Sequence, residues 1–251
     1  MTRRFQDKVV LVIGGNSGIG LACVTAFAAE GAQVVLTGRN PQTLRAAADS
    51  IEPNGLAIRA DITDLAQHEN VTRAVVDRFG HLDVLFVSAG GGGVGAIEEV
   101  TPELWDSAFA VNLKGAYFLI QKSLPLMRPG SSIVLTSSLA ARKTLPGLSV
   151  YSAAKAAVSS LARTLGAELV GRGIRVNVVT PGPIDTPLLD RTPGLSSAQA
   201  EQIRQHVASS NPMKRWGSAE EVARAVLFLA SSEASFITGT DTVVDGGASA
   251  A

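Results

Sequence analysis

The stretch VVLVIGGNSGIG, residues 9–20, decides the fold. Its first five residues are apolar and mostly β-branched, as is typical of a strand buried on both faces. Gly14, Gly18 and Gly20 then permit a tight turn, a close backbone approach and a close contact between helix and strand. The helix that follows directs its free N–H groups at a pyrophosphate. The stretch therefore predicts a strand–loop–helix unit that binds a dinucleotide. The alternative is a plain turn, which would not require three glycines in seven positions.

The alternation of strand and helix continues along the chain. Short apolar runs are separated by longer segments with helical periodicity, the pattern of a parallel sheet covered on both faces. The predicted strands are residues 9–13, 33–37, 57–60, 84–88, 132–136, 175–180 and 242–244, and the predicted helices are residues 21–30, 65–79, 105–127, 151–170 and 219–231. No linker or repeat divides the sequence. The prediction is an α/β, doubly wound Rossmann fold with a parallel sheet of about seven strands flanked by helices on both faces, in a single domain of residues 1–251.

The composition excludes several classes of partner. The 251 residues carry 22 basic and 22 acidic side chains, so the formal net charge of zero offers no field that would attract nucleic acid or an anionic membrane. The single cysteine, Cys23, excludes an internal disulfide, and no apolar run is long enough to span a bilayer. The N-terminal residues lack a signal-peptide pattern. We expect a cytoplasmic protein without a metal site that acts on a small molecule.

One long irregular region, from residue 181 to about residue 217, interrupts the pattern. It is rich in proline and contains one short amphipathic segment, residues 198–208. Irregular regions of this length inside a compact domain tend to be lids or binding loops. Residues 183–217 are therefore predicted to form a substrate loop.

A second motif, VYSAAKAAV at residues 150–158, places a tyrosine four positions before a lysine in a run of helix-forming residues. Residues four apart share one helix face, so Tyr151 and Lys155 are predicted to stand side by side. Alone, this spacing is more typical of a solvated surface helix. Together with the G-x-x-x-G-x-G loop, it resembles the short-chain dehydrogenase/reductase family, and six motifs follow the family order between about Lys8 and Gly247.

The resemblance implies an oxidoreductase that moves a hydride between a nicotinamide dinucleotide and a carbonyl or alcohol carbon. The implied catalytic residues are Asn112, Ser138, Tyr151 and Lys155. Tyr151 would exchange a proton with the substrate oxygen, and the Lys155 ammonium is expected to lower the tyrosine pKa and to hold the nicotinamide ribose. Ser138 would polarise the carbonyl, and Asn112 would hold a water that connects Lys155 to solvent. Ser137 is the competing assignment, because neighbours in a strand point to opposite faces and only one serine can meet the substrate.

The resemblance also implies a set of cofactor contacts. They are Gly14, Asn16, Ser17, Gly18, Ile19 and Gly20 of the glycine loop, Gly38, Arg39 and Asn40 after the second strand, Asp61 and Ile62, Ser88, Ala89 and Gly90, Tyr151 and Lys155, and Pro181, Gly182, Ile184 and Thr186. Asp61 is expected to accept from the adenine amino group; its alternative role is a helix cap, for which Thr63 or Asp64 would serve equally well. Two positions depart from the family pattern: Ile13 stands where threonine is usual, and Ser88 where asparagine is usual.

The end of the second strand distinguishes the two nicotinamide cofactors. Family members that bind NAD carry an acidic residue there, whose carboxylate holds the ribose 2′-hydroxyl and would repel a 2′-phosphate. Gly38 occupies that position, and Arg39 follows at a site where we expect no acid to neutralise it. Because a guanidinium suits a phosphate, NADP(H) is the predicted cofactor. The alternative is that Arg39 only solvates a loop.

The predicted substrate pocket is uncharged, which favours a neutral, fairly apolar ketone or secondary alcohol. Its residues are Gly93, Val94, Leu139, Leu145, Leu148, Pro183, Leu188 and Leu189. Arg142, Lys143 and Arg191 are close enough in sequence for the loop to bring one of these cations into the pocket.

The alternative reaction is reduction of an acyl thioester such as a 3-oxoacyl-carrier-protein, and the alternative class of protein is a non-catalytic NADP(H) sensor. An epimerase or dehydratase would need an added substrate domain. The resemblance further implies a homotetramer with twofold symmetry.

Overall fold

In a computed structural model of the chain, residues 3–53, 55–187 and 196–250 are described. They form one sheet of seven parallel strands in the order β3-β2-β1-β4-β5-β6-β7. The strands are β1 (Val9–Ile13), β2 (Gln33–Gly38), β3 (Gly55–Arg59), β4 (Leu82–Val87), β5 (Met127–Thr136), β6 (Arg175–Pro181) and β7 (Asp241–Val244). The prediction of a doubly wound α/β sheet is confirmed.

Helices cover both faces of this sheet. They are α1 (Gly18–Ala29), α2 (Pro41–Asp49), α3 (Leu65–Phe79), α4 (Pro102–Phe109), α5 (Gly115–Ser123), α6 (Ser149–Leu169), α7 (Ser197–Ser210) and α8 (Ala219–Ala230). Alternate residues of β1 enter opposite layers: Val10 and Val12 belong to the core shared with α1, α2 and α8, and Leu11 to the core shared with α3, α5 and α6. Burial on both faces explains why this strand is an unbroken apolar run.

The strand order reverses at β1, and this reversal positions the site. β1 pairs with β2 on one side and with β4 on the other. The loops that leave the carboxyl ends of β1 and β4 therefore diverge and open a crevice, where doubly wound sheets bind ligands. The glycine loop follows β1, residues 88–95 follow β4, and Ser138 and Gly182 follow β5 and β6 at the same edge.

The prediction of one helix at residues 105–127 is wrong. The segment divides into α4 and α5, joined by a π-helical turn at Ala110–Lys114, and a 3₁₀ turn at Leu124–Leu126 leads into β5. Pro125 has no N–H to donate to the preceding turn, so it cannot extend the α-helical hydrogen bonding.

Two further helices change the sequence-based picture. α2 was missed, although Asn40 caps it and Pro41 occupies its first turn, both recognised signals of a helix start. The amphipathic segment predicted at residues 198–208 is α7, which is longer than expected and extends over Ser197–Ser210. Within the three described ranges, no helix combines the length and the apolar composition needed to cross a membrane.

Candidate active site

The glycine loop is packed tightly against the start of α1. A Cβ on Gly20 would lie 2.1 Å from the carbonyl oxygen of Gly14, so no other residue fits there. Gly14 and Gly18 have φ angles of 77° and 51°, in the left-handed region that favours glycine. The cap residue, Ser17, makes no side-chain hydrogen bond to the first N–H groups of α1. Those groups face the crevice, an arrangement suited to a pyrophosphate.

A cavity of about 740 Å³ fills the crevice, within the size range of small-molecule sites. The predicted cofactor residues that line it are Gly14, Asn16, Ser17, Gly18, Ile19, Gly38, Arg39, Asp61, Ile62, Ser88, Ala89, Gly90 and Thr186. The lining also includes residues that the sequence analysis did not single out, among them Ala60, Val111 and Pro187. A cradle of glycines beside a helix N-terminus, with Arg39 at one end, fits a dinucleotide.

The remaining predicted cofactor positions lie outside this lining. The Asn40 side chain accepts from the N–H groups of Gln42 and Thr43 and caps α2. A Cβ on Gly182 would lie 2.5 Å from the Cβ of Asp245, so this glycine is required by packing against the chain that follows β7. Ile184 is buried and pairs with Gly217 in an isolated β-bridge.

The expectation that no acid neutralises Arg39 is wrong. One guanidinium nitrogen lies 3.6 Å from a carboxylate oxygen of Asp61. The two residues are far apart in sequence, but parallel pairing of β2 with β3 brings their ends together. Three quarters of the Arg39 side chain is nevertheless exposed, at 75%. The guanidinium therefore remains open to the cavity while a carboxylate holds it at the rim.

Asp61 lines the cavity and does not cap α3. One of its carboxylate oxygens accepts from the backbone N–H and the hydroxyl of Thr63. Partial burial raises the pKa of Asp61, but the hydrogen bonds from Thr63 and the charge of Arg39 outweigh burial and leave that pKa below its usual value. The cap of α3 is Asp64, one of the two alternatives considered for that role.

Tyr151, Lys155 and Ser138 come together beside the carboxyl end of β5. The Tyr151 hydroxyl is hydrogen-bonded to the Ser138 side chain. The Lys155 Nζ lies 5.7 Å from the centre of the Tyr151 ring and donates to the carbonyl oxygen of Thr136 at 2.9 Å. Ser137, the competing serine, is buried and points the other way, donating to the carbonyl oxygen of Lys155 at 2.9 Å. The geometry therefore favours Ser138 over Ser137 as the serine that faces a substrate.

The expected effect of Lys155 on the tyrosine pKa is wrong in this structure. Burial raises the pKa of Tyr151, and the hydrogen bond with Ser138 opposes the rise only in part. Burial also lowers the pKa of Lys155 to about 8, because an ammonium group loses hydration inside the protein. Burial therefore favours the neutral phenol, whereas Lys155 keeps its charge below about pH 8.

Asn112 lies in the π-helical turn and holds the loop after β4. Its amide Nδ2 donates to the carbonyl oxygens of Gly91 and Ala108, each at 2.8 Å, and its Oδ1 accepts from the Gly91 N–H at 3.1 Å. Both amide hydrogens are thus donated to backbone carbonyl oxygens. A Cβ on Gly90 would lie 2.8 Å from both Asn112 Oδ1 and Lys155 Nζ, so the loop runs directly over these two groups.

Among the predicted substrate residues, Gly93 lies next to Tyr151. Gly93 is buried, and a Cβ there would lie 3.1 Å from the backbone nitrogen of Tyr151. The Gly95 N–H donates to the Gly147 carbonyl oxygen at 2.8 Å, which joins the loops that carry Val94 and Leu145. Both of these side chains are exposed, whereas Leu139, Leu148 and Pro183 are partly buried. Leu188 and Leu189 lie outside the described residues, as does Arg191.

Comparison with known proteins identifies this arrangement. A family model described as enoyl-(acyl carrier protein) reductase matches residues 13–249. The 3-oxoacyl-[acyl-carrier-protein] reductase FabG of Thermotoga maritima is 38% identical over 253 residues, spanning 97% of this chain and 98% of that protein. The crystal structure of levodione reductase superposes with a TM-score of 0.93 at 34% identity, over 98% of this chain and 99% of the other. A short-chain dehydrogenase/reductase of Brucella melitensis, also named glucose/ribitol dehydrogenase, superposes with a TM-score of 0.92 at 33% identity, over 99% of each chain.

The chain belongs to the short-chain dehydrogenase/reductase family. It is an oxidoreductase that uses a nicotinamide dinucleotide to transfer a hydride to or from the carbon of a carbonyl or alcohol group.

The two departures of this dehydrogenase/reductase from its family pattern leave the backbone of the crevice intact. The carbonyl oxygen of Ile13 accepts from the N–H groups of both Ser88 and Ala89, at 2.9 and 3.0 Å. The contact between the ends of β1 and β4 is thus made by main-chain atoms. Neither a threonine at position 13 nor an asparagine at position 88 is required for it.

Sequence reasoning missed a buried polar network behind the site of this short-chain dehydrogenase/reductase. The Asp241 carboxylate accepts from Ser159 at 2.9 Å and from Thr180, and pairs with Arg142 at 3.1 Å. Ser159 also contacts the Ser137 hydroxyl at 3.0 Å, and Ser137 holds the Lys155 carbonyl. An acidic residue at the start of an otherwise apolar strand was the available signal. The network ties β5, β6, β7 and α6 together at the reaction centre.

Proposed function

We propose that this protein is an NADPH-dependent reductase of neutral, fairly apolar ketones, which also oxidises the corresponding secondary alcohols. The observation that carries the cofactor assignment is the exposed Arg39 guanidinium at the cavity rim, beside a glycine where NAD-binding relatives carry an acid. Asp61 does not remove this argument. At 3.6 Å the ion pair is longer than a good charge-assisted hydrogen bond, and the exposed guanidinium keeps donors for a 2′-phosphate.

The chemistry requires a proton donor beside the substrate oxygen. When bound, a nicotinamide cofactor would supply the hydride for the carbonyl carbon, and the C=O electron pair would move onto oxygen. We assign the proton for that oxygen to Tyr151, and the hydrogen bond of its hydroxyl with Ser138 orients the two groups toward one oxygen atom. Because its pKa is raised, Tyr151 would carry its proton at neutral pH and could act as the acid in reduction.

Lys155 and Asn112 are proposed to assist the proton transfer without touching the substrate oxygen. The Lys155 ammonium is held by the Thr136 carbonyl at 2.9 Å, close to the loop that Asn112 fixes. From there it would hold the nicotinamide ribose and stabilise the phenolate left after proton transfer. Asn112 would keep Gly90 and Gly91 in the conformation that admits the cofactor.

The preference for a neutral substrate is supported by the contacts of Arg142 and Lys143, the two candidate cations that lie within the described residues. Arg142 pairs with Asp241 at 3.1 Å, and Lys143 donates to the Ala248 carbonyl at 2.9 Å. Both cations therefore already have partners within the protein, which leaves them less available to a carboxylate or phosphate of a substrate. Leu139, Leu145 and Leu148, with Gly93, Val94 and Pro183, are proposed to form the described part of the pocket wall.

Reduction of an acyl thioester is a second candidate, favoured by the names of a relative and of the matching family model. A non-catalytic NADP(H) sensor is disfavoured because Ser138, Tyr151 and Lys155 are present and adjacent. We further propose that the protein is cytoplasmic and forms a homotetramer. Light scattering after size-exclusion chromatography would test the oligomeric state.

The experiment is a cofactor and substrate panel. The purified protein is mixed with NADPH or NADH and with bulky aryl ketones, diketones or acyl thioesters, and nicotinamide absorbance is followed. We expect the highest kcat/KM with a ketone and NADPH, exceeding that with NADH by at least about tenfold, or about 1.4 kcal/mol. A thioester as the best substrate would establish the second candidate, and cofactor binding without turnover of any compound would establish the sensor.

A substitution at Arg39 tests the assignment of NADP(H) as the cofactor. Arg39→Asp should reverse the preference toward NADH, because it removes the guanidinium and places a carboxylate next to the 2′ position. Arg45→Asp, an exposed change on α2, is the matched control and should leave the preference unchanged. An unaltered NADPH preference in Arg39→Asp would mean that other groups hold the 2′-phosphate.

A further inference from the structure

The end of β2 is closed on one side by the side chain of Asn16. A Cβ added to Gly38 would lie 2.4 Å from Asn16 Cγ, 2.6 Å from Oδ1 and 2.8 Å from Cβ. Gly38 does not have a left-handed φ, so its backbone would accept any residue. Side-chain crowding by Asn16, and not backbone conformation, is therefore what restricts this position to glycine.

Asn16 is held in this place by a hydrogen bond. Its Nδ2 donates to the Thr43 hydroxyl at 2.7 Å, and the Thr43 N–H in turn donates to the Asn40 side chain at the cap of α2. Moving Asn16 aside would break the first of these bonds, and the overlap with its Cβ would remain unless the loop backbone also moved. An acidic side chain at position 38 thus has no room while Asn16 is anchored.

A carboxylate at position 38 would select against a cofactor that carries a 2′-phosphate. Asn16, Gly38 and Arg39 all line the cavity. We propose that Asn16 is a specificity-determining residue, which keeps position 38 closed to acids and so preserves the choice of NADP(H). This inference rests on the proposed use of NADP(H), and it adds that the discriminating unit is the pair Asn16–Gly38 rather than position 38 alone.

The test is a double-mutant cycle with two substitutions at position 38. Gly38→Ala adds only the Cβ atom, which would overlap Asn16, and leaves the charge at position 38 unchanged. It should lower kcat/KM for NADPH by about tenfold, and Asn16→Gly, which removes all three crowding atoms, should restore most of this loss in the double variant. Gly38→Asp alone should lose NADPH activity without efficient use of NADH, whereas Asn16→Gly with Gly38→Asp should use NADH at least about tenfold better than Gly38→Asp does.

Two results would overturn the role of Asn16. One is a Gly38→Ala variant with unchanged NADPH kinetics, which would mean that Asn16 moves aside freely. The other is a Gly38→Asp variant that uses NADH as well as the double variant does. Urea unfolding of each variant verifies that the comparison is made between folded proteins. A wild-type preference for NADH would instead overturn the proposed cofactor, so the two failures are distinguishable.

Discussion

Replacing Lys155 with methionine should abolish turnover and yet stabilise the fold at neutral pH. Lys155 is 2% exposed, and burial lowers the pKa of its ammonium group from 10.5 to about 8. A difference of about 2.5 units corresponds to about 3 kcal/mol by which the folded state disfavours the charged form. Methionine has a similar length and no charge, but it loses the hydrogen bond to Thr136, worth about 1 to 2 kcal/mol. The net expectation for Lys155→Met is a gain of about 1 to 2 kcal/mol at pH 7.

The sign of the pH dependence provides a stricter test. Below about pH 8 the lysine is charged in both the folded and the unfolded states, so the full penalty applies. Between about pH 8 and 10.5 the unfolded chain binds more protons than the folded one, and the wild-type protein therefore gains stability as pH rises. Lys155→Met has no such gain, so its advantage should shrink from pH 7 to pH 10 and then reverse.

Urea unfolding of the cofactor-free wild type and of Lys155→Met at pH 7 and pH 10 measures both quantities. Lys122→Met, a change at an exposed lysine of α5, is the control for the general effect of removing a charge. A Lys155→Met variant that is less stable than wild type at pH 7, or a stability difference that is the same at both pH values, would refute the reasoning.

Three further changes probe the site. Tyr151→Phe should abolish reduction while NADPH still binds, as seen by cofactor fluorescence; substantial residual turnover would point to another acid. Gly90→Ala should lower kcat by about 100-fold or more because its Cβ meets Asn112 Oδ1 and Lys155 Nζ at 2.8 Å, whereas Gly171→Ala, with open space around it, should have no effect. Asp241→Asn should lower the free energy of unfolding by about 1 to 3 kcal/mol in urea titrations, because the charge that holds Arg142 is removed; an unchanged midpoint would contradict this.

The features that were predictable from the sequence are those encoded by neighbouring residues. The glycine loop carries its own spacing, β1 its apolar run, and the pair Tyr151 and Lys155 its helical period. Asn112 was found through the family resemblance, but the π-helical turn around it was not. That turn accompanies bonds from one side chain to the Gly91 and Ala108 backbone, which no local periodicity indicates.

The features that were not predictable depend on contacts between distant segments. Arg39 meets Asp61 only because β2 and β3 pair in parallel. Asp241 meets Ser159 across 82 positions of sequence. The direction of the Tyr151 pKa shift depends on burial, which raises that pKa and exceeds the opposing effect of the hydrogen bond with Ser138.

The buried network has a consequence for heat inactivation. Its carboxylate belongs to Asp241, the first residue of β7, and β7 is a four-residue strand at the margin of the sheet. Short outer strands detach at lower free energy than central ones. Detachment of β7 would release Ser159 and, through Ser137, the backbone of Lys155. The protein would then stop working on warming while most of its secondary structure is still intact.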